Sequence, residues 1–437
     1  MKRDLHVIII LFLAALLVSV CNPQFERTPT SAVLSEPTVI NLAVTPELPA
    51  GESIQINTTQ NDLTGNRFID GSIDLQNASI INIPLNGTPL WLASSPFEDG
   101  ALFAAVLENG QTQAFLIKGQ TYEQYDILPA QLPAGMPPLL FVSDGQAQLI
   151  VPSQDASPFT HPLLIDNKLV YISTGGDLVI TDSNSQTRLP VNALPDARLL
   201  LDEKKRLLLL SGPTNRYDHG VLGDEMEASS ITLIETEPEL RVIVNIPIDP
   251  PDVVEGISPI WADLDEDGER EIIVTLSNPQ GGARIAAYRQ DGSLLAESPS
   301  IGLGYRWRHQ IAVAGFEPGR PPLLVSIRTP HIGGVVEFFQ LNAGRLDPVR
   351  ETAGFSAHTI GSRNLDSAVA GDFNNDGTPE LLAPDQTHTS LGVISLDGIL
   401  IIVPLDGVLT SNLSVTDNHG TLYVGAGTLG NLRIWSP

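Results

Sequence analysis

Three successive stretches of this chain are copies of one pattern, and that repeat limits the possible folds more than any other feature. "SPIWADLDEDGEREIIVTLSNPQGGARIAAYRQDGSLLAES", "HQIAVAGFEPGRPPLLVSIRTPHIGGVVEFFQLNAGRLDPV" and "DSAVAGDFNNDGTPELLAPDQTHTSLGVISLDGILIIVPL" each read strand, acidic or glycine turn, strand, loop, strand, tight turn, strand. The turn glycines Gly268, Gly319 and Gly377 recur at intervals of about 50 to 60 residues. A four-stranded unit cannot bury both of its faces alone and must stack on its neighbours. At this period, such stacking is the pattern of β-propeller blades.

Weaker copies lie upstream. "PLWLASSPFEDGALFAAVLENGQTQAFLIKGQTYEQYDI" carries all four strands, and "PLLIDNKLVYISTGGDLVITDSNSQTRLPV" and "ARLLLDEKKRLLLLSG" with its continuation match with altered turns. "PPLLFVSDGQAQLIVPS" shows only two strands, and the C-terminal "NLSVTDNHGTLYVGAGTLGNLRIWSP" three. The fold class expected is therefore all-β: a β-propeller of four-stranded blades, seven by the best count and eight as the alternative. A strand from "SIDLQNASIINIPL" completes the last blade, so that N- and C-terminal strands close the ring and leave no free edge. Composition agrees, with 37 glycines and 34 prolines punctuating short apolar runs in a chain of 437 residues that is 42% hydrophobic. Two unrelated β-sandwich domains are the alternative, from which a period of this kind is hard to obtain.

The body, residues 63–437, is preceded by two different segments. Residues 1–21 read as an export signal or anchor, with Lys2 and Arg3 ahead of the apolar "LHVIIILFLAALLVSV" and the single cysteine, Cys21, where that run ends. "LVSVC" resembles a bacterial lipobox, departing from it at Val20, so Cys21 is the expected lipidation site; an uncleaved anchor helix is the alternative. Residues 22–62, rich in Pro, Thr, Ser and Glu, read as a tether. The expected location is extracytoplasmic, on the cell surface or in the periplasm, with membrane contact only through the N-terminus.

Two of the repeats carry oxygen-rich turns. In the first, Asp263, Asp265 and Asp267 occupy alternate positions, Gly268 permits the tight turn, Glu269 can offer its carbonyl, and Glu271 can close the shell. "DFNNDGTPEL" repeats this with Asp372, Asn374, Asp376, Gly377, Thr378 and Glu380. Alternate positions converge on one point, which suits Ca²⁺; a solvated acidic turn is the plain alternative. An EF-hand is excluded because position 12 is Val274 in one loop and Ala383 in the other, and the flanks are strands. The middle repeat, "GFEPGRPPL", has Gly315 and Glu317 in place of ligands and is expected to hold no metal.

These loops resemble the D-x-[DN]-x-D-G-x-x-[DE] turns of FG-GAP or VCBS repeats in integrin-α-like propellers. The resemblance is specific over 257–300 and 366–407, moderate over 307–350 and architectural elsewhere. It implies two structural calcium ions rather than a catalytic metal.

A propeller puts first-to-second-strand loops on one face, and second-to-third-strand loops with the connections between units on the other. The second face then collects Arg216, Tyr217, His219, Arg306, Trp307, Arg308, His309, Arg328, His331, His358, Arg363 and His388, in a chain with only 24 basic against 51 acidic residues. Such a set suits an anionic or sugar-like ligand, a surface protein or a glycan, bound by a monomer. Plain structural partnering of these residues is the alternative. A net charge of −27 argues against nucleic acid. No G-x-S-x-G elbow, H-E-x-x-H helix or cysteine nucleophile is present, so a binding or adhesion module is the first reading. A calcium-dependent carbohydrate-active enzyme and a scaffold subunit of an envelope complex are the alternatives.

Overall fold

The computed structural model describes residues 57–58, 67–133 and 135–437; the signal segment, Cys21 and most of the tether lie outside the described residues. Those described contain strands and turns and no helix. Four antiparallel four-stranded sheets stand alone: 89–125, 163–190, 369–404, and 409–436 completed by Ser79–Pro84. Three further four-stranded meanders, 200–247, 260–297 and 308–353, are chained together, through Val253–Val254 between the first two and by one parallel pair, Glu297 with Arg345, between the others. A two-stranded hairpin, Leu140–Ser143 with Gln146–Leu149, sits between the sheets 89–125 and 163–190.

The strand-by-strand burial explains the sequence pattern. Second strands such as Gly100–Leu107 and Glu271–Ser277 are buried along their whole length, as is the first strand Arg308–Ala314. A strand covered on both sides reads as a continuous apolar run rather than an alternation. Fourth strands such as Thr121–Tyr125 and Arg345–Ala353 are mostly exposed. Each unit is therefore buried at its inner strands and exposed at its outer one.

The hydrophobic cores lie between units, not within them. Leu102 and Val106 meet Leu140 and Leu149 of the hairpin; Phe141 and Ile150 meet Leu164. Ile172 packs with Leu207, Leu210 with Ile272, and Ile285 with Val313. Val325 packs with Leu381, and Val393 with Leu413. The last sheet packs on the first through Ile81, Ile434 and Phe103. There Gly425 is required by close approach, since a Cβ would stand 2.6 Å from the Phe103 ring. Burying each of these large side chains is worth roughly 1.5–3 kcal/mol.

Ser79–Pro84, from the segment expected to supply a missing strand, pairs antiparallel with Asn431–Ser436, Ser79 facing Ser436 and Pro84 facing Asn431. One boundary moves: Asn57–Thr58, inside the stretch assigned to the tether, already pairs with Arg67–Phe68 and with the edge of Arg308–Ala314 that its meander leaves free. Unpaired backbone at that inner edge is satisfied by adding a strand.

Candidate functional site

Both acidic loops connect the first and second strands of their sheets, and they share one hydrogen-bond pattern. In the first, Asp263 accepts from the amides of Asp267 (3.2 Å) and Gly268 (3.0 Å), Asp267 accepts from Glu269 (2.9 Å), and Glu271 accepts from Leu264 (2.8 Å). In the second, Asp372 accepts from Asp376 (3.1 Å) and Gly377 (2.9 Å), Asp376 from Thr378 (2.9 Å), and Glu380 from Phe373 (2.9 Å). The fourth residue of each loop, Glu266 and Asn375, has φ near +60°, as do few non-glycine residues, and Gly268 and Gly377 follow at φ 88° and 87°. Two left-handed residues wrap the turn so that alternate side chains point inward.

The donor set fits a hard cation. Asp263, Asp265 and Asp267 each offer an oxygen within 4.8 Å of the others, and in the second loop Asn374 replaces one carboxylate. Glu269 and Thr378 hold position 7, where only the carbonyl is needed. The Glu269 carboxylate turns away to Lys204 at 2.7 Å. Burial, with the neighbouring aspartates, pushes Glu271 up to about 7 and Glu380 up to about 8. Burial also raises Asp263. These are carboxylates crowded together, with Arg289, 3.7 Å from Asp265, the one ion-paired cation beside Asp263, Asp265, Asp267 and Glu271 among the described residues. In the middle repeat Glu317 instead sits 3.6 Å from Arg320.

The twelve residues expected on the opposite face do lie in its loops or at the adjoining strand ends, but most do not present themselves to solvent. Tyr217, Trp307, Arg308, His309 and His358 are buried, which corrects the expectation that they line the surface. The arginines are engaged. Arg308 and Arg328 both donate to Glu337, each at 2.8 Å; Arg363 reaches Asp196 at 2.9 Å and also Asp224. Arg216 donates to the carbonyls of Asp252 (2.7 Å) and Ile248 (2.6 Å). Arg306 is exposed and makes one long contact to the Ile301 carbonyl. The guanidinium groups that suggested an anion site are thus largely neutralised within the protein.

The histidines form two groups. His219 Nδ1 is 2.5 Å from Glu255, which also accepts from Ser277 Oγ; Tyr217 and Tyr305 flank the imidazole, and Tyr305 donates to Asp218 at 2.6 Å. Glu255 and Glu227 are buried there, and burial with their mutual repulsion raises Glu227 well above the usual carboxylate range. The second group surrounds Trp307, which stacks on His309 at 4.8 Å and lies edge-on to His358. His358 Nε2 is 2.6 Å from the Ser362 carbonyl and therefore carries the proton. Its Nδ1 then accepts from His331 Nε2 at 2.7 Å. Burial pushes His331 down to about 4 and His358 to about 3, so both rings are uncharged at neutral pH.

His331, His358 and His388 open on a cavity of about 590 Å³ formed by second-to-third-strand loops and unit connections. Exposed apolar side chains gather on the same face: Leu303, Tyr305, Ile332, Ile360, Val408 and Met226. Among the described residues the acidic face exposes no large hydrophobic residue; the others that are exposed sit on fourth strands such as Gly398–Pro404, or in the second-face loops at Leu128 and Leu429. Sequence reasoning missed these loop hydrophobics and the carboxylates Glu227, Glu255 and Glu337. An Ile between His331 and Gly333, or a Leu between two glycines at 302 and 304, was the available signal.

No protein-family model matches the chain, and no curated protein matches it. A solved structure described as the crystal structure of BBS1N in complex with ARL6DN, soaked with mercury, is similar at a TM-score of 0.43 and 10% identity, covering 82% of this chain and 95% of that one. A likeness of that size carries no argument about function.

Proposed function

We propose that the chain is a closed β-propeller of eight units, the hairpin 140–149 being the shortest, stabilised by calcium in two FG-GAP-like loops. It acts outside the cytoplasm as a binding or adhesion module. The ring reading is supported by inter-sheet cores that run from unit to unit and return from the last sheet to the first. The calcium reading is supported by the matched loops, in which Asp263, Asp265, Asp267 and Glu271, and Asp372, Asn374, Asp376 and Glu380, would hold the ion, with the carbonyls of Glu269 and Thr378. Bound calcium would cross-link the first and second strands of a unit. The export reading rests on residues 1–21 of the sequence.

One observation carries the binding reading: exposed apolar side chains and a cavity collect on the face opposite the acidic loops. An apolar, convergent surface of this kind marks a ligand or partner site. The enzyme alternative is less well supported, because among the described residues no Asp or Glu lines the cavity and so no pair of carboxylates faces a substrate there. The test is attachment of the intact protein to glycan arrays and to isolated envelope proteins. Ile332→Asp with Ile360→Asp abolishes attachment, whereas Val242→Asp with Leu294→Asp on fourth strands leaves it intact. Equal loss from both pairs, or none from either, would contradict the assignment.

A further inference from the structure

Among the described residues, the wall of the second-face cavity contains no Asp, Glu, Lys or Arg, although the chain carries 51 acidic and 24 basic residues. Its volume, about 590 Å³, lies within the range of roughly 300–1,000 Å³ usual for small-molecule sites. A ligand with a fixed charge would lose its hydration there and meet no counter-charge. The guanidinium of Arg363, which lies in sequence between the wall residues Ser362 and Asn364, is already held by Asp196 and Asp224.

The polar groups of the wall divide into engaged and free. Gln386 uses its amide on the carbonyls of Pro330 and Phe355 and its oxygen on the Gly333 amide. Asn364 donates to the Leu90 carbonyl and accepts from the Asp366 amide. By contrast, the hydroxyls of Thr88, Thr359 and Ser367 and the imidazole of His388 make no hydrogen bond among the described residues, and His331 keeps Nδ1 unused. A hydrocarbon ligand would strip water from these groups without replacing its hydrogen bonds. Leu90 and Ile360 complete the wall with apolar surface.

We propose that this cavity binds an uncharged saccharide residue, whose hydroxyls are met by Thr88, Thr359, Ser367, His331 and His388 while its C–H face rests on Leu90 and Ile360. The proposal rests on the reading of this face as the ligand face and narrows the ligand class to a neutral sugar. A neutral polyol supplies both donors and acceptors, which hydroxyls and neutral imidazoles can match in either sense.

The test is titration of the full chain, labelled at histidine, with neutral hexoses, N-acetylhexosamines and the corresponding hexuronic acids, read by the imidazole ¹H–¹⁵N signals. Saturable shifts at His331 and His388 with a neutral sugar are expected, with binding of the matched uronic acid weaker by about tenfold or more. The variant T88V/T359V/S367A weakens neutral-sugar binding about tenfold while its melting temperature in calcium stays that of the wild type. No shift with any neutral sugar, or a uronic acid bound as tightly, overturns the proposal. If sugars fail while I332D/I360D still abolishes attachment to a protein ligand, the cavity assignment falls and the face assignment stands.

Discussion

The two loop faces of this molecule bring charge and apolar surface together in opposite ways. On the acidic face, Asp263, Asp265 and Asp267 crowd within a few residues, with no positive partner closer than Arg289 at 3.7 Å from Asp265. On the other face, charges are also numerous, and several are matched as ion pairs: Arg308 and Arg328 with Glu337, Arg363 with Asp196 and Asp224, Arg198 with Asp366. Unmatched carboxylates that stay folded together call for a cation; matched pairs stay neutral and build a scaffold. The proposed ion site and the proposed ligand face both rest on this difference.

The largest effect that can break this comparison is on the matched side. Arg308→Ala leaves the buried Glu337 with only the half-buried Arg328 as its partner, a loss approaching the ~3 kcal/mol lower end of the cost of breaking a buried pair. Urea unfolding should show that loss, with calcium affinity unchanged. A loss under 1 kcal/mol would mean that the pair is not structural.

Calcium should come next. At a free concentration of about 100 times Kd, each occupied loop stabilises the fold by about 2.7 kcal/mol. Asp372→Ala removes the contribution of one loop and Asp263→Ala that of the other, measured as the difference in melting temperature with and without calcium. His331→Ala with His388→Ala leaves that difference untouched, since both lie on the other face.

The pH dependence sharpens the same contrast and works in opposite directions on the two faces. Glu271 and Glu380 have folded values near 7 and 8, above the ordinary 4.5, so in calcium-free protein they favour folding fully below about 4.5 and lose that contribution as pH rises through 7 and 8. Calcium requires the ionised forms, so its affinity rises across the same interval. His331 and His358 are held below the ordinary 6.5, so they destabilise the fold as pH falls from 6.5 toward 4 and 3. Melting curves with chelator from pH 4 to 9 should therefore show a maximum, and added calcium should raise only the alkaline limb. A smaller effect distinguishes side chain from carbonyl: Glu269→Ala costs about 0–1 kcal/mol through its exposed pair with Lys204 and leaves calcium affinity within about twofold.

Much of this contrast could be read in the sequence, and for a physical reason. The acidic loops are local: alternate ligands and a turn glycine fall within nine positions, so spacing alone places them. The strand meanders are local as well, and "SIINIPL" could be assigned to the last sheet because three strands there lacked a fourth. The matched charges are not local. Glu337 sits mid-strand in "VVEFF", and Arg363 meets Asp196 across 167 residues of sequence, so nothing in the neighbourhood of either residue announces the pair. The arginines therefore read as free cations, and the buried Trp307 and His309 as surface groups. The two-residue strand Asn57–Thr58 escaped notice because a strand that short has no period.

The most direct test of the account is calorimetric titration of chelated, full-length protein with Ca²⁺. The account predicts two binding events, one lost in Asp263→Ala and the other in Asp372→Ala, with a matching rise in melting temperature. No heat and no rise in melting temperature at millimolar calcium would contradict it.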